Sequence, residues 1–269
     1  MIDLQLGGKR ALVTGSSSGI GAAIAHMLCS QGVAVVVHGR NAGRVRAIAS
    51  EIRAAGGKVA TVEGALEGEG ADAVAEAALQ PFGGIDVLVN NAGGGSDGED
   101  RSWFGQDIAS LAATYDSNLI APVRLIRALA PAMKERSWGR IINIATAAAI
   151  TPTSGQPDYG PAKAAMISMS LGLSKALART GVTSNCISPG MVRTAGLTEF
   201  LTAFAAKRGW GDDLARAEDY IVKGAGQTAL RIGEVDDIAF AVTTLASPRS
   251  DFVNGTNFHI DGGISPAIC

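Results

Sequence analysis

Short apolar runs and longer stretches of helical periodicity alternate along this chain almost without exception, and strict alternation leaves few folds open. Residues 10–14 (RALVT) form an apolar run that ends in a Gly/Ser-rich turn, and residues 20–30 then repeat apolar side chains at helical spacing. Residues 33–38 (VAVVVH) are β-branched and nearly continuous, the pattern of a strand covered on both faces. Asn41 can cap a following helix to about residue 55, where Gly56-Gly57 stops it. Further strands are expected near residues 58–62, 85–89, 140–144, 182–187 and 257–260, and helices over 107–136, 159–179 and 235–246. Alternation of this kind imposes parallel pairing with right-handed crossovers. The expected architecture is therefore α/β: a single-domain, doubly wound parallel sheet with helices on both faces.

Nothing divides the 269 residues: there is no linker, internal repeat or low-complexity tract. A chain that is 47% hydrophobic and 18% charged can bury a large core, and a net charge of −2 gives no basis for a nucleic acid or membrane partner. Cys29, Cys186 and Cys269 are too few and scattered for a disulfide framework, and Cys29 and Cys186 are expected to be buried thiols. With no apolar leader in MIDLQLGGKR and no run near 18 apolar residues, a cytoplasmic protein is expected. His26, His38 and His259 have no metal-ligand spacing, so no metal is expected.

One stretch breaks the rhythm. Residues 194–228 carry no strand signal, yet contain Leu197, Phe200, Leu201, Phe204, Trp210 and Tyr220. We read it as a substrate lid with flexible glycine joints, closing on a substrate that has a hydrophobic part. The alternative is a helical pair packed on the core.

The turn after the first strand reads Thr14-Gly15-Ser16-Ser17-Ser18-Gly19-Ile20-Gly21. Its glycines let backbone approach a pyrophosphate, and the helix opening near Gly19 aims its unpaired N–H groups and positive dipole end at that anion. Placed between a strand and a helix, such a turn is a dinucleotide fingerprint, the mark of the Rossmann fold. About twenty residues on, where an NAD site offers an acid to the ribose, this chain has His38-Gly39-Arg40-Asn41. Gly39 removes the carboxylate that would repel a 2′-phosphate, and Arg40 supplies a planar donor that could clamp it, so NADP(H) is favoured.

From about residue 7 to 263 the chain resembles the short-chain dehydrogenase/reductase family. The cofactor turn has that family's TGxxxGxG form, and Asn90-Asn91-Ala92-Gly93 follows the fourth strand as its NNAG does. Asn118 falls where the family has its catalytic Asn, and Tyr159-Gly160-Pro161-Ala162-Lys163 is its YxxxK. Ser188-Pro189-Gly190, with Val192 and Thr194 after it, is its PG motif; Asn254-Gly255 and Asp261-Gly262-Gly263 match its C-terminal end. The resemblance implies cofactor contacts from Gly15, Ser17, Ser18, Gly19, Ile20, Gly21, Arg40, Asn41, Asn91, Ala92, Gly93, Tyr159, Lys163, Pro189, Gly190, Val192 and Thr194. It implies catalysis by Asn118, Thr146, Tyr159 and Lys163, with Thr146 where the family has Ser, and assembly as a homodimer or homotetramer.

The spacing suits the chemistry. Tyr159 and Lys163 lie four apart on one helix and face the same way. A phenol of pKa ~10 needs a nearby cation to work as acid-base at neutral pH, and Lys163 can supply it. The expected activity is hydride transfer between NADP(H) and a small-molecule carbonyl or secondary alcohol. A 3-oxoacyl-acyl-carrier-protein reductase, and a non-catalytic NADP-binding sensor, are the alternatives; the presence of both Tyr159 and Lys163 speaks against the sensor.

Three departures from the family pattern stand out. Gly64-Ala65-Leu66 replaces the acidic residue usual after the third strand. Ala178-Arg179-Thr180-Gly181 is a shortened helix end, where a carrier protein would dock. Residues 90–100 are Gly-rich and acidic, so the pocket edge near residues 93–96 is expected to be mobile.

Overall fold

The computed structural model describes residues 2–95, 102–152, 155 and 157–266. Seven strands form one sheet: β1 (Arg10–Val13), β2 (Ala34–Gly39), β3 (Val59–Glu63), β4 (Val87–Asn90), β5 (Gly139–Ile144), β6 (Val182–Pro189) and β7 (Asn257–Ile260). Every pairing is parallel, in the order β3-β2-β1-β4-β5-β6-β7. The order reverses between β1 and β4, so the loops leaving those strands diverge and open a crevice at the carboxyl edge.

The near-continuous apolar strands follow from burial on both faces. On one face, α1 (Gly19–Ser30), α2 (Ala42–Ala54) and α9 (Val235–Ala246) cover a core that includes Val13, Val35, Val37, Val89, Ile142 and Ile187. On the other, α3 (Gly70–Leu79) and α5 (Ala121–Glu135) pack with α6 (Tyr159–Ala176) over Leu12, Val36, Leu88 and Ile141. These are the alternate residues of the same strands, as the two-residue period requires. Asn41 caps α2 as expected, its side chain accepting from Arg44 N at 3.0 Å.

Two helices differ from the sequence expectation. The single helix expected over 107–136 is α4 (Ile108–Tyr115) and α5 joined by a wide π-helical turn, Asp116–Ile120, which contains Asn118. The helix expected to reach residue 179 ends at Ala176, and Arg179 takes φ 61° in the turn before β6. The acidic end of the Gly-rich loop, residues 96–100, lies outside the described residues, as does Cys269.

The stretch read as a lid forms two helices, α7 (Ala195–Lys207) and α8 (Leu214–Gly224). They enclose a small core of their own: Leu201, Ala205, Ala217, Val222 and Ile232. Phe204, Trp210 and Tyr220 pack ring on ring, with centroids 5.6–5.9 Å apart, and Arg208 lies over all three. Phe204 and Trp210 are half-buried in this cluster, while Phe200 and Tyr220 stay exposed.

Candidate active site

The loops after β1 and β4 are locked together at the crevice. Thr14 Oγ1 donates to Val89 O and accepts from the N–H groups of Asn91 and Ala92, both at 3.0 Å. In return Asn91 Nδ2 donates to Thr14 O and Gly15 O. This lets Gly15, at φ 63°, pass so close to β4 that a Cβ there would lie 2.9 Å from Ala92 Cα. A third brace comes from His38, buried at the end of β2. Its Nδ1 accepts from Gly15 N at 3.2 Å, which leaves Nε2–H to donate to Gly64 O at 3.2 Å. Burial lowers the pKa of this imidazole, consistent with a neutral ring.

These loops border a cavity of about 610 Å³ lined by Gly15, Ser17, Ser18, Arg40, Asn41, Asn91, Ala92 and Gly93. Eight residues singled out for cofactor binding thus meet in one hollow. Gly39 lines it as well, and packs so tightly that a Cβ would fall 2.7 Å from Ser17 Oγ; steric fit, besides the missing carboxylate, calls for glycine there. Residues the sequence did not point to complete the wall: Arg44, Leu66, Glu67, and the face made by Ser110, Ala113 and Thr114 of α4 with Ser117 of the π-helical turn. Spacings of three and four mark that face as one stripe of small side chains, a signal legible only once the helix is known to border a ligand.

A second cavity, of about 280 Å³, shares Ser18, Asn91 and Gly93 with the first. Ile20, Gly21, Thr146, Tyr159, Lys163, Pro189, Gly190, Val192 and Thr194 line it. Gly19 borders neither hollow; it turns the backbone into α1 at φ 54°, against the Thr194 methyl. Asn118 also stands behind the wall, fully buried. Its Oδ1 accepts from Gly94 N at 3.2 Å while Nδ2 donates to Gly94 O at 2.8 Å. The π-helical turn is what brings this amide to that loop, a use typical of such turns. Gly93, at φ 154°, lies directly against Asn118 and Lys163, leaving no room for a side chain.

Tyr159 opens α6. Asp158, buried before it, caps the helix by accepting from Tyr159 N at 2.8 Å, and its other oxygen accepts from Thr114 Oγ1 and Gln106 Nε2. That carboxylate is an anchor between α4 and α6 rather than an acid-base. Deeper in the sheet, Asn90, Asn143, Ser170 and Ser184 hydrogen-bond in sequence at 2.8–3.1 Å and tie α6 to β4, β5 and β6. Burial raises the Tyr159 phenol pKa, opposed by a hydrogen bond from Thr146. Lys163 donates to Ile144 O at 2.8 Å and sits 5.9 Å from the Tyr159 ring centre. Burial lowers its ammonium to about 8, with the nearby Cys186 thiol acting weakly the other way. Two titratable side chains, Tyr159 and Lys163, and the Thr146 hydroxyl thus converge on one small hollow, at the carboxyl edge of the sheet and beside a glycine-lined cleft.

The sequence model of the short-chain dehydrogenases matches residues 9–203. The chain belongs to the short-chain dehydrogenase family. This dehydrogenase is 36% identical to a 3-oxoacyl-[acyl-carrier-protein] reductase of Haemophilus influenzae, over 96% of this chain and 98% of that one. It also superimposes on the L-sorbose reductase of Gluconobacter frateurii, solved with NADPH and L-sorbose, with a TM-score of 0.91, 31% identity and coverage of 99% and 100%. A 7α-hydroxysteroid dehydrogenase, solved with NADH and 7-oxo glycochenodeoxycholic acid, gives 0.86 and 29%, over 97% and 96%. As a member of this family the dehydrogenase is an oxidoreductase. Among its described residues no helix is long and apolar enough to cross a membrane.

Proposed function

We propose that this dehydrogenase transfers hydride between NADP(H) and a carbonyl group, or in reverse from a secondary alcohol, with Tyr159 as general acid-base. The observation that carries this reading is the convergence of Tyr159, Thr146 and Lys163 on a hollow continuous with the cleft that ends at Arg40. The residues present fit the dinucleotide. At about 610 Å³ the cleft lies within the ~300–1,000 Å³ usual for small-molecule sites, and Gly15, Gly39 and Gly93 keep its walls free of side chains. Gly15, Ser17, Ser18, Gly19, Ile20 and Gly21 would hold the pyrophosphate and Arg40 with Asn41 the 2′-phosphate. Asn91, Ala92, Gly93, Pro189, Gly190, Val192 and Thr194 would hold the nicotinamide half.

The nicotinamide, when bound, supplies or accepts the hydride. Thr146 and Tyr159 hold the substrate oxygen between two hydroxyls, and the Tyr159 O–H passes its proton to that oxygen as negative charge builds there. A phenol whose pKa is raised by burial keeps its proton at neutral pH, which suits the reducing direction. Lys163 offers the cation that stabilises the phenolate left behind and a donor to the nicotinamide ribose. Asn118 acts from behind, fixing the Gly93-Gly94 backbone against Lys163.

We infer a substrate with a hydrophobic part, on the strength of the α7–α8 pair, which starts at the site through Thr194 and carries Phe200 on its surface. A homodimeric or homotetrameric assembly follows from the family resemblance, and Phe240 and Phe258, exposed beside the unpaired edge of β7, suit it. A cytoplasmic setting suits the two buried free thiols, Cys29 and Cys186.

Activity against carbonyl compounds of graded size, with NADPH and with NADH, tests the reading. NADPH should be preferred, and Arg40→Asp should shift the ratio of the two kcat/KM values at least ~10-fold toward NADH by replacing a charge-assisted phosphate donor with a repelling carboxylate. An unchanged ratio would remove Arg40 from phosphate recognition.

A further inference from the structure

His38 stands where three loops of the cleft meet. It lies one residue before the end of β2, is buried, and lines the cleft. Backbone and ring together clasp the turn after β1. Ser16 N–H donates to His38 O at 2.8 Å, His38 N–H donates to Ser16 Oγ at 2.9 Å, and Gly15 N–H donates to the ring Nδ1 at 3.2 Å. On the other side the ring Nε2–H donates to Gly64 O at 3.2 Å, and Gly64 N–H donates to Gly39 O at 3.3 Å. The exits of β1, β2 and β3 are thus joined at this residue and its neighbour Gly39.

The two ring bonds are not equivalent. Gly64 has its second tie, to Gly39, whereas among the described residues no other acceptor reaches the Gly15 N–H. Gly15 begins the dinucleotide turn without slack, since a Cβ on it would lie 2.9 Å from Ala92 Cα. A shift there is passed on to Ser17 and Ser18, which line the cleft. An N–H needs a lone pair opposite it, and the imidazole offers one at Nδ1 only while neutral. Protonation sets N–H against N–H at Gly15 and leaves the bond to Gly64 O intact.

The charges around the ring are few. Burial, the larger effect, holds its pKa below the ordinary 6.5, and Glu67 on the loop after β3 acts the other way. Arg40 and Arg44 stand on the cleft wall beyond β2. Glu63, at the end of β3, pairs with Arg46 at 3.4 Å, and Asp116 accepts from Gly68 N. The turn after β1 and the α4 wall bring only hydroxyls and apolar groups to the cleft, among them Ser17, Ser18, Ser110 and Thr114.

We propose that neutral His38 is a positioning residue for the dinucleotide: its Nδ1 lone pair sets the Gly15 turn, and protonation of the ring in acid loosens the turn's hold on the pyrophosphate. The proposal rests on the NADP(H) reading above and adds to it a residue that acts through the turn.

The test is equilibrium binding of NADP⁺ to wild type and to two variants that each keep one half of the brace. In His38→Asn, Oδ1 stands as many bonds from Cα as Nδ1 does and can accept from Gly15. In His38→Gln, the amide nitrogen matches the ring Nε2 and can donate to Gly64. At about pH 8 the Asn variant should bind within about three-fold of wild type and the Gln variant about ten-fold more weakly, the scale of one buried donor left without a partner. On acidification to about pH 5, wild type should lose at least about three-fold more affinity than the Asn variant, whose amide does not titrate. Protonation of the 2′-phosphate, near pH ~6, affects every protein alike and cancels in that comparison. Equal affinities in the Asn and Gln variants, or a wild type that tracks the Asn variant in acid, would overturn the role of His38 while leaving NADP(H) binding in place. Failure of wild type to bind NADP⁺ at about pH 8 would overturn the cofactor reading itself.

Discussion

Burial holds the Lys163 ammonium at about 8, against an ordinary lysine value of 10.5. The depressed value means that the fold disfavours the charged form that catalysis uses. Stability is therefore unaffected by this group above about pH 10.5, falls as pH drops towards 8, and stays lower throughout the neutral range. The cost at neutral pH is on the order of 3 kcal/mol at 1.36 kcal/mol per pKa unit. Lys163→Met should accordingly raise the melting temperature of the cofactor-free protein by several degrees near pH 7, with the gain vanishing above pH 10.5. The same variant should lose at least ~100-fold in turnover. A melting temperature that stays level or falls would show that the ammonium is not a strained group here. The residues to which we assign this chemistry could be singled out from the sequence because their signal is local: Tyr159 and Lys163 share one helix, and Asn91-Ala92-Gly93 and the Gly15–Gly21 turn are contiguous. His38 could not be, because it braces a neighbouring loop, at Gly15, that the sheet brings alongside, and a single sequence does not show that proximity.

The elements show the same division. Strands read well because burial on both faces writes an apolar run into each of them. The long helix expected over 107–136 could not show its π-helical turn, since no residue pattern encodes one; it is Asn118 bonding both N–H and C=O of Gly94 that holds the wide turn in use. The α7–α8 pair was half legible: its apolar side chains were visible in the sequence, but which of them pack on one another was decided by tertiary packing. Apart from Ile232 and Met191, which join its core from the flanking chain, its polar ties to the body are surface ion pairs. Arg193 bridges Glu218 and Glu234 at the surface, and such exposed pairs contribute little, typically about 0–1 kcal/mol. A unit with its own small core, joined to the body mainly at its ends, can move as a body. Backbone amides over residues 195–224 should therefore exchange measurably more slowly when NADPH and a substrate analogue are both bound than in the unliganded protein. Equal exchange in the two states would make the pair a fixed wall instead of a lid.

For the whole molecule, the sheet order decides where chemistry can occur. Reversal between β1 and β4 opens an edge at which the loops of both halves diverge, and the groups assigned a role converge there from β1, β2, β4, β5, β6, α6 and the turn between α4 and α5. The alternation in the sequence was sufficient to predict this edge; the substrate was not legible, because the surface that selects it is assembled from separate loops and the helical pair. The central claim is that Tyr159 moves the proton and the cleft holds the dinucleotide independently of it. It is tested most directly by Tyr159→Phe, followed in a single turnover by the loss of NADPH absorbance with an accepted carbonyl substrate, alongside a titration of NADPH binding. The account predicts a rate at least ~100-fold below wild type, with the NADPH dissociation constant within about three-fold of it. A variant that keeps a tenth or more of the wild-type rate would contradict the assignment of Tyr159 as the acid-base.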